Sequence, residues 1–168
     1  FKPATVFADI EKHKVTGIVV VPVMLSRMLD ELDKMAPKPD LSSLRIVFVS
    51  GSQLGAELAG RALRELGPFF YNLTASTEIA FATIARPKDL SINPATVGPP
   101  VKGITVKILD DNGGEVAQGD VGRIFVRNTF PFQGYTGGGG KQIIDGMLSS
   151  GDVGYFDEHG LLYVSGRD

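Results

Sequence analysis

Cysteine and tryptophan are both absent from the 168 residues, and histidine occurs only twice. Without Cys no disulfide or thiolate metal site can form. His13 and His159 stand in different halves of the chain, which leaves a zinc site short of ligands and a Ser-His-Asp triad unsupported. An excess of one charge is lacking too: 17 basic against 19 acidic residues give a formal net charge of -2, which predicts neither nucleic acid nor an anionic membrane surface as a partner. The longest apolar run, Gly17 to Leu25, is about half a membrane span and is interrupted by Pro22, so no transmembrane segment is expected. The chain opens on Phe1-Lys2-Pro3 with no Met and no targeting segment, and closes on Gly166-Arg167-Asp168 directly after a strand pattern. Both ends are expected to be cuts from a longer protein, and the lack of Cys is compatible with a cytoplasmic location.

What is present divides at about residue 97. Val6, Phe7 and Ile10 lie at helical spacing within 3–14, and Leu25, Met28, Leu29 and Leu32 mark one face of a second helix. Between them Thr16 to Val21 is a continuous β-branched run, the pattern of a strand covered on both faces. A strand at 44–49, a turn at Ser50-Gly51-Ser52, a helix over 54–66 ended by Gly67-Pro68, and Phe69-Phe70-Tyr71 follow. Alternation of helix and strand with short links predicts an α/β fold with a parallel sheet, whose ligands lie at the carboxyl ends of strands. The loops at 50–54 and 71–78 are therefore the places to look.

After Val97-Gly98-Pro99-Pro100 the period changes to two. Residues 104–109 alternate, Asp110 to Gly114 supplies a turn, 121–126 pairs back, and 151–156 with 161–164 forms another strand pair. The expected organisation is an α/β subdomain over 1–97, a small antiparallel β-rich subdomain over 98–166, and residues 167–168 as the start of a hinge to a further domain.

Several patterns invite chemistry. Thr136 to Lys141 contains four consecutive glycines, yet a phosphate loop needs Gly six residues before its Lys and Ser or Thr after it, where Tyr135 and Gln142 stand. A flexible surface loop is expected instead. Gln53 occupies the second glycine place of a dinucleotide fingerprint, so hydride chemistry is not supported. Thr74-Ala75-Ser76-Thr77-Glu78 places hydroxyls and one carboxylate where they could bind an anion and a divalent cation; a helix start capped by Ser76 or Thr77 explains them equally well. Asp152 could accept hydrogen bonds from a diol or be a turn aspartate, and Arg167 could donate its fork to oxygens or be a solvated terminal charge.

Taken together, these segments resemble the adenylate-forming superfamily, most closely the acyl-CoA synthetases (fatty-acid-CoA ligases). Asn72-Leu73-Thr74-Ala75-Ser76-Thr77-Glu78 is similar to the family's Asn-x-Tyr-Gly-x-Thr-Glu, Asp145 to Asp152 is similar to its Asp-Gly-Trp-x-x-Thr-Gly-Asp, and Gly166-Arg167-Asp168 is similar to its hinge motif. The resemblance covers essentially the whole chain. It implies that Gly51 and Ser52 line the adenine pocket, Asn72 meets the adenine amino group, Thr77 touches the α-phosphate and Glu78 holds Mg2+. It further implies that Asp152 grips the ribose hydroxyls, Arg167 reaches ribose or phosphate, and Asp168 is the hinge. ATP, Mg2+, CoA and a small-molecule carboxylic acid, a fatty acid by the resemblance to fatty-acid-CoA ligases, are the implied cofactors and partners. Thr74 and Ala75 replace the aromatic residue expected to stack on adenine and the glycine after it, which removes the stacking surface and leaves a non-catalytic nucleotide- or acyl-ligand-binding homologue as the rival reading. The family's phosphate loop and catalytic lysine would lie upstream of Phe1 and beyond Asp168, so the isolated chain is expected to be inactive. Its uncovered apolar surface is expected to favour self-association.

Overall fold

The computed structural model describes residues 1–130 and 132–168. The chain gathers into two compact units, one of residues 1–72 with 86–95 and the other of residues 73–85 with 96–168.

The first unit begins with α1 (Pro3–His13), β1 (Gly17–Val20), α2 (Pro22–Lys34), β2 (Ile46–Val49) and α3 (Ala56–Leu66), and then enters β3 (Phe70–Ser76). Pro3 and Pro22 each open a helix, where the missing N–H costs nothing. The apolar stripes anticipated from spacing are buried: Phe7 and Ile10 on α1, and Leu25, Met28, Leu29 and Leu32 on α2. Across the polar sides of α2 and α3, Arg61 binds Asp30 at 2.7 Å and Asp33 at 2.8 Å, and also its own-helix neighbour Glu65. β1 pairs with β2 and β2 with β3, both in parallel, and the register joins Val20 to Val49 and Val49 to Asn72. The chain returns to this unit through α4 (Pro87–Ile92). Asp89 of α4 accepts hydrogen bonds from the Arg86 backbone N–H at 3.0 Å and from the Arg86 guanidinium at 2.7 Å.

In the second unit the end of β3 turns through 77–79 into its neighbour β4 (Ala80–Ala85). An antiparallel sheet follows, built of β5 (Thr105–Leu109), β6 (Gly122–Arg127), β7 (Ile143–Ile144), β8 (Met147–Phe156) and β9 (Leu162–Arg167). Its order is β5-β6-β8-β7, with β9 also on β8. Ile79, Ala82, Ile108, Ile124, Val126 and Leu162 form its buried apolar core. Gly98, with φ 85°, lies so close to the backbone of Ile84 and Ala85 that a Cβ there would overlap it. Thr96 secures the same place, donating to the Leu162 carbonyl at 2.9 Å and accepting from Gly98 N–H at 2.9 Å.

The expected α/β fold with a parallel sheet and an antiparallel β-rich part is the observed one. Two local expectations change. Residues 71–76 are strand rather than loop, and no helix starts at Ser76 or Thr77, since a turn and β4 follow. The helix-cap explanation of those hydroxyls is thereby removed.

Candidate functional site

In the first unit, Gly51 and Ser52 follow β2 at the carboxyl edge of the parallel strands and are exposed. Asn72 stands beside Val49 at the end of that strand and is only 7% exposed. The register thus sets the residues expected around adenine at one sheet edge, where open α/β sheets bind ligands.

The remaining candidates belong to the second unit. Thr74 is half-buried on β3, while Thr77 is exposed in the turn after it. Ser76 and Glu78 form a local hydrogen-bonded loop: Ser76 Oγ donates to Glu78 Oε2 at 2.8 Å and accepts from Ile79 N–H at 3.4 Å. The Tyr135 hydroxyl donates to the other carboxylate oxygen, Glu78 Oε1. Those two donors, Tyr135 first, hold the Glu78 carboxyl below the ordinary carboxylate range, with the charge of Lys141 acting in the same direction. The group is ionised and oriented at neutral pH.

Asp152 lies on a β-bulge. Phe125 faces Ser149 and Arg123 faces Val153, so Ser150, Gly151 and Asp152 together oppose the single residue Ile124. Local hydroxyls hold this bulge: Ser149 Oγ accepts from Gly151 N–H and Ser150 Oγ from Asp152 N–H, each at 3.1 Å. Gly151 takes φ 81°, a conformation that suits glycine. Across the β8/β9 pair Asp152 faces Arg167, whose Nε lies 3.2 Å from Asp152 Oδ1. Desolvation pushes the Asp152 carboxyl above its usual value, and the charges of Arg167 and Lys141 oppose that rise. Arg167 itself is 78% exposed, so the pair is open to water on one side. Asp168 ends β9's extension by donating its N–H to the Gly151 carbonyl at 3.1 Å, and its carboxylate accepts from Arg123 Nε at 2.7 Å.

Sequence reasoning passed over Tyr135 and Lys141, because the glycine run between them fails as a phosphate loop. The two residues flank the glycine run from opposite ends: Tyr135 binds Glu78, and the Lys141 ammonium lies over Gly151, next to Asp152. No pattern in the sequence announces either contact, since Tyr135 reaches Glu78 and Lys141 reaches Gly151 only in the folded chain. Among the described residues no cluster of three or more His, Cys, Asp or Glu could cage a metal. A single ionised, oriented carboxylate does suit Mg2+, which takes one or two protein carboxylates and completes its shell with water and substrate phosphate. No helix of the described residues is long and apolar enough to cross a membrane.

The fold is shared with adenylating enzymes of known structure. The amide bond synthetase McbA from Marinactinospora thermotolerans superposes with a TM-score of 0.89 at 30% identity, over 99% of this chain and 35% of that one. A family model described as AMP-binding enzyme matches residues 1–136, and the chain belongs to that family. Its curated relatives include the putative acyl-CoA ligase YdaB of Bacillus subtilis, 32% identical over 98% of this chain and 33% of the relative. Another is the medium/long-chain-fatty-acid-CoA ligase FadD8 of Mycobacterium tuberculosis, 30% identical over 99% of this chain and 30% of the relative. The chain spans about a third of the length of these curated relatives.

Proposed function

We propose that these residues carry part of the Mg-nucleotide site of an ATP-dependent acyl-CoA ligase. The observation that supports this best is the pair of oriented carboxylates, Glu78 held by Ser76 and Tyr135, and Asp152 set opposite Arg167. In the reaction the substrate carboxylate attacks the α-phosphorus of ATP, pyrophosphate leaves, and the thiol of CoA then displaces AMP from the acyl carbon. Asp152, already partly desolvated, accepts hydrogen bonds from the ribose hydroxyls, and the charge of Arg167 on the open side opposes the upward push of burial on its carboxyl. Glu78 would hold Mg2+, whose chemistry is to neutralise phosphate charge during the transfer. Thr77, exposed in the turn beside Glu78, offers a hydroxyl to the α-phosphate. Within the first unit Gly51, Ser52 and Asn72 are the proposed adenine-binding residues; within the second, Thr74 stands where the family has its stacking ring, and Asp168 is the proposed hinge. A fatty acid is the proposed substrate, on the strength of the FadD8 likeness. The chain by itself is proposed to be inactive, because transfer at phosphorus needs more cationic charge around the pyrophosphate than these residues supply.

Titration with Mg-ATP tests this reading. Asp152→Asn and Glu78→Gln are each expected to weaken binding by about tenfold to a hundredfold, the range for a lost hydrogen bond to a charged group. Affinities unchanged in both variants would remove the nucleotide site. A second reading, a binding homologue without catalysis, is favoured specifically by Thr74 and Ala75.

A further inference from the structure

Lys141 is held at the bulge by the strand that follows it. The Gln142 carbonyl accepts from Ser149 N–H at 2.9 Å, the Gln142 side chain accepts from Arg123, and Ile143 and Ile144 pair with Leu148 and Met147. The ammonium consequently lies over Gly151: a Cβ added there would stand 2.9 Å from Lys141 Nζ and 3.7 Å from Arg167 Nη1. Among the described residues Arg167 is committed to Asp152 and Arg123 to Asp168, whereas Lys141 closes no ion pair. This cation sits beside the diol-binding carboxylate, on a loop whose other end, Tyr135, binds the metal-binding carboxylate Glu78, and that placement matches one group of a nucleotide. Between the ribose diol and the metal-bound phosphates lie C4′, C5′, the 5′ oxygen and the α-phosphate, of which the α-phosphate is the charged group. A phosphate anion could not rest between two carboxylates without such a counter-charge.

We propose that Lys141 is a nucleotide-binding residue that contacts the α-phosphate, an inference that rests on the nucleotide reading of Asp152 and Glu78. The glycines before it then serve to let the backbone bring the lysine across the bulge, not to wrap phosphates with their own N–H groups. Gly151 contributes by leaving the space that the ammonium occupies.

Calorimetric titration of the chain with adenosine and with AMP, at low ionic strength and without metal, tests this in wild type, Lys141→Met, Lys141→Arg and Asp152→Asn. Lys141→Met is expected to weaken AMP by about tenfold, the scale of one charge-assisted contact, and to leave adenosine binding and the melting temperature unchanged. Lys141→Arg should keep most of the AMP affinity, and added salt should weaken AMP binding more in wild type than in Lys141→Met. Unchanged AMP affinity in Lys141→Met, or equal losses for AMP and adenosine, overturns the assignment while the site itself stands. Wild type that binds neither ligand, or Asp152→Asn that binds both as well as wild type does, overturns the nucleotide reading and the lysine's role with it.

Discussion

Thr74 is the residue at which the nucleotide reading is most exposed to test. It is half-buried on β3, between buried Asn72 and the hydrogen-bonded Ser76. Base-aromatic stacking is worth about 1–3 kcal/mol, so Thr74→Tyr is expected to tighten adenosine binding by roughly fivefold or more. Fluorescence titration of the variant measures this, and no gain would favour an adenine position elsewhere. In the full-length protein, restored ATP-dependent CoA consumption by the same variant would separate a ligase from a binding homologue. At this scale the sequence conveyed residue types but not partners. In the sequence Asp152 and Arg167 are two isolated charges, because the bulge that sets them opposite one another is a property of strand register. Tyr135 and Lys141 carried no signal at all, since Glu78, the partner of Tyr135, is 57 residues away and Gly151, under the Lys141 ammonium, lies on the bulge of another strand.

At the scale of elements, the helices of the first unit were legible because burial follows a 3.6-residue period, and their apolar faces are the ones buried. The latter part of β3 was not legible. Its Asn-Leu-Thr-Ala-Ser sequence lacks an apolar run, and only pairing with neighbouring strands makes it extended. The center of β8 hid for a similar reason, since Ser-Ser-Gly-Asp has the composition of a turn and forms a bulge inside a strand. In α4 a charge contact acts together with the burial of Leu90. Burial opposes the charge of Asp89, but the hydrogen bonds and charge of Arg86 outweigh it and hold the carboxyl below its usual value. A depressed folded pKa gives stability that is present above the unfolded value and lost as pH falls through the folded one. Stability should therefore decline below about pH 4 partly through Asp89, and Asp89→Asn should flatten that decline in acid-unfolding curves while costing about 2 kcal/mol at neutral pH. An unchanged acid limb in the variant would show that the Arg86–Asp89 contact does not link α4 to pH.

For the whole molecule, the parallel strands of the first unit present one side to solvent. Val19 is 71% and Ile46 39% exposed, and the register sets Val19, Phe48 and Tyr71 in one row on that side. Such a surface favours association, so sedimentation velocity is expected to show reversible self-association at high concentration, shifted toward monomer by Val19→Lys. A single monomeric species for wild type at every concentration would refute it. Alternation of helix and strand announced the α/β class, and the change of period near residue 97 announced the antiparallel sheet. The passage of the chain between units at residues 72, 85 and 95 could not be read, because it depends on contacts distant in sequence. The central claim is that Glu78 and Asp152 serve one ligand. Backbone and side-chain chemical-shift mapping during titration with Mg-ATP tests it most directly. The account predicts that signals of Glu78, Lys141 and Asp152 move together along one binding curve; movement of only one carboxylate, or of neither at millimolar nucleotide, would contradict it.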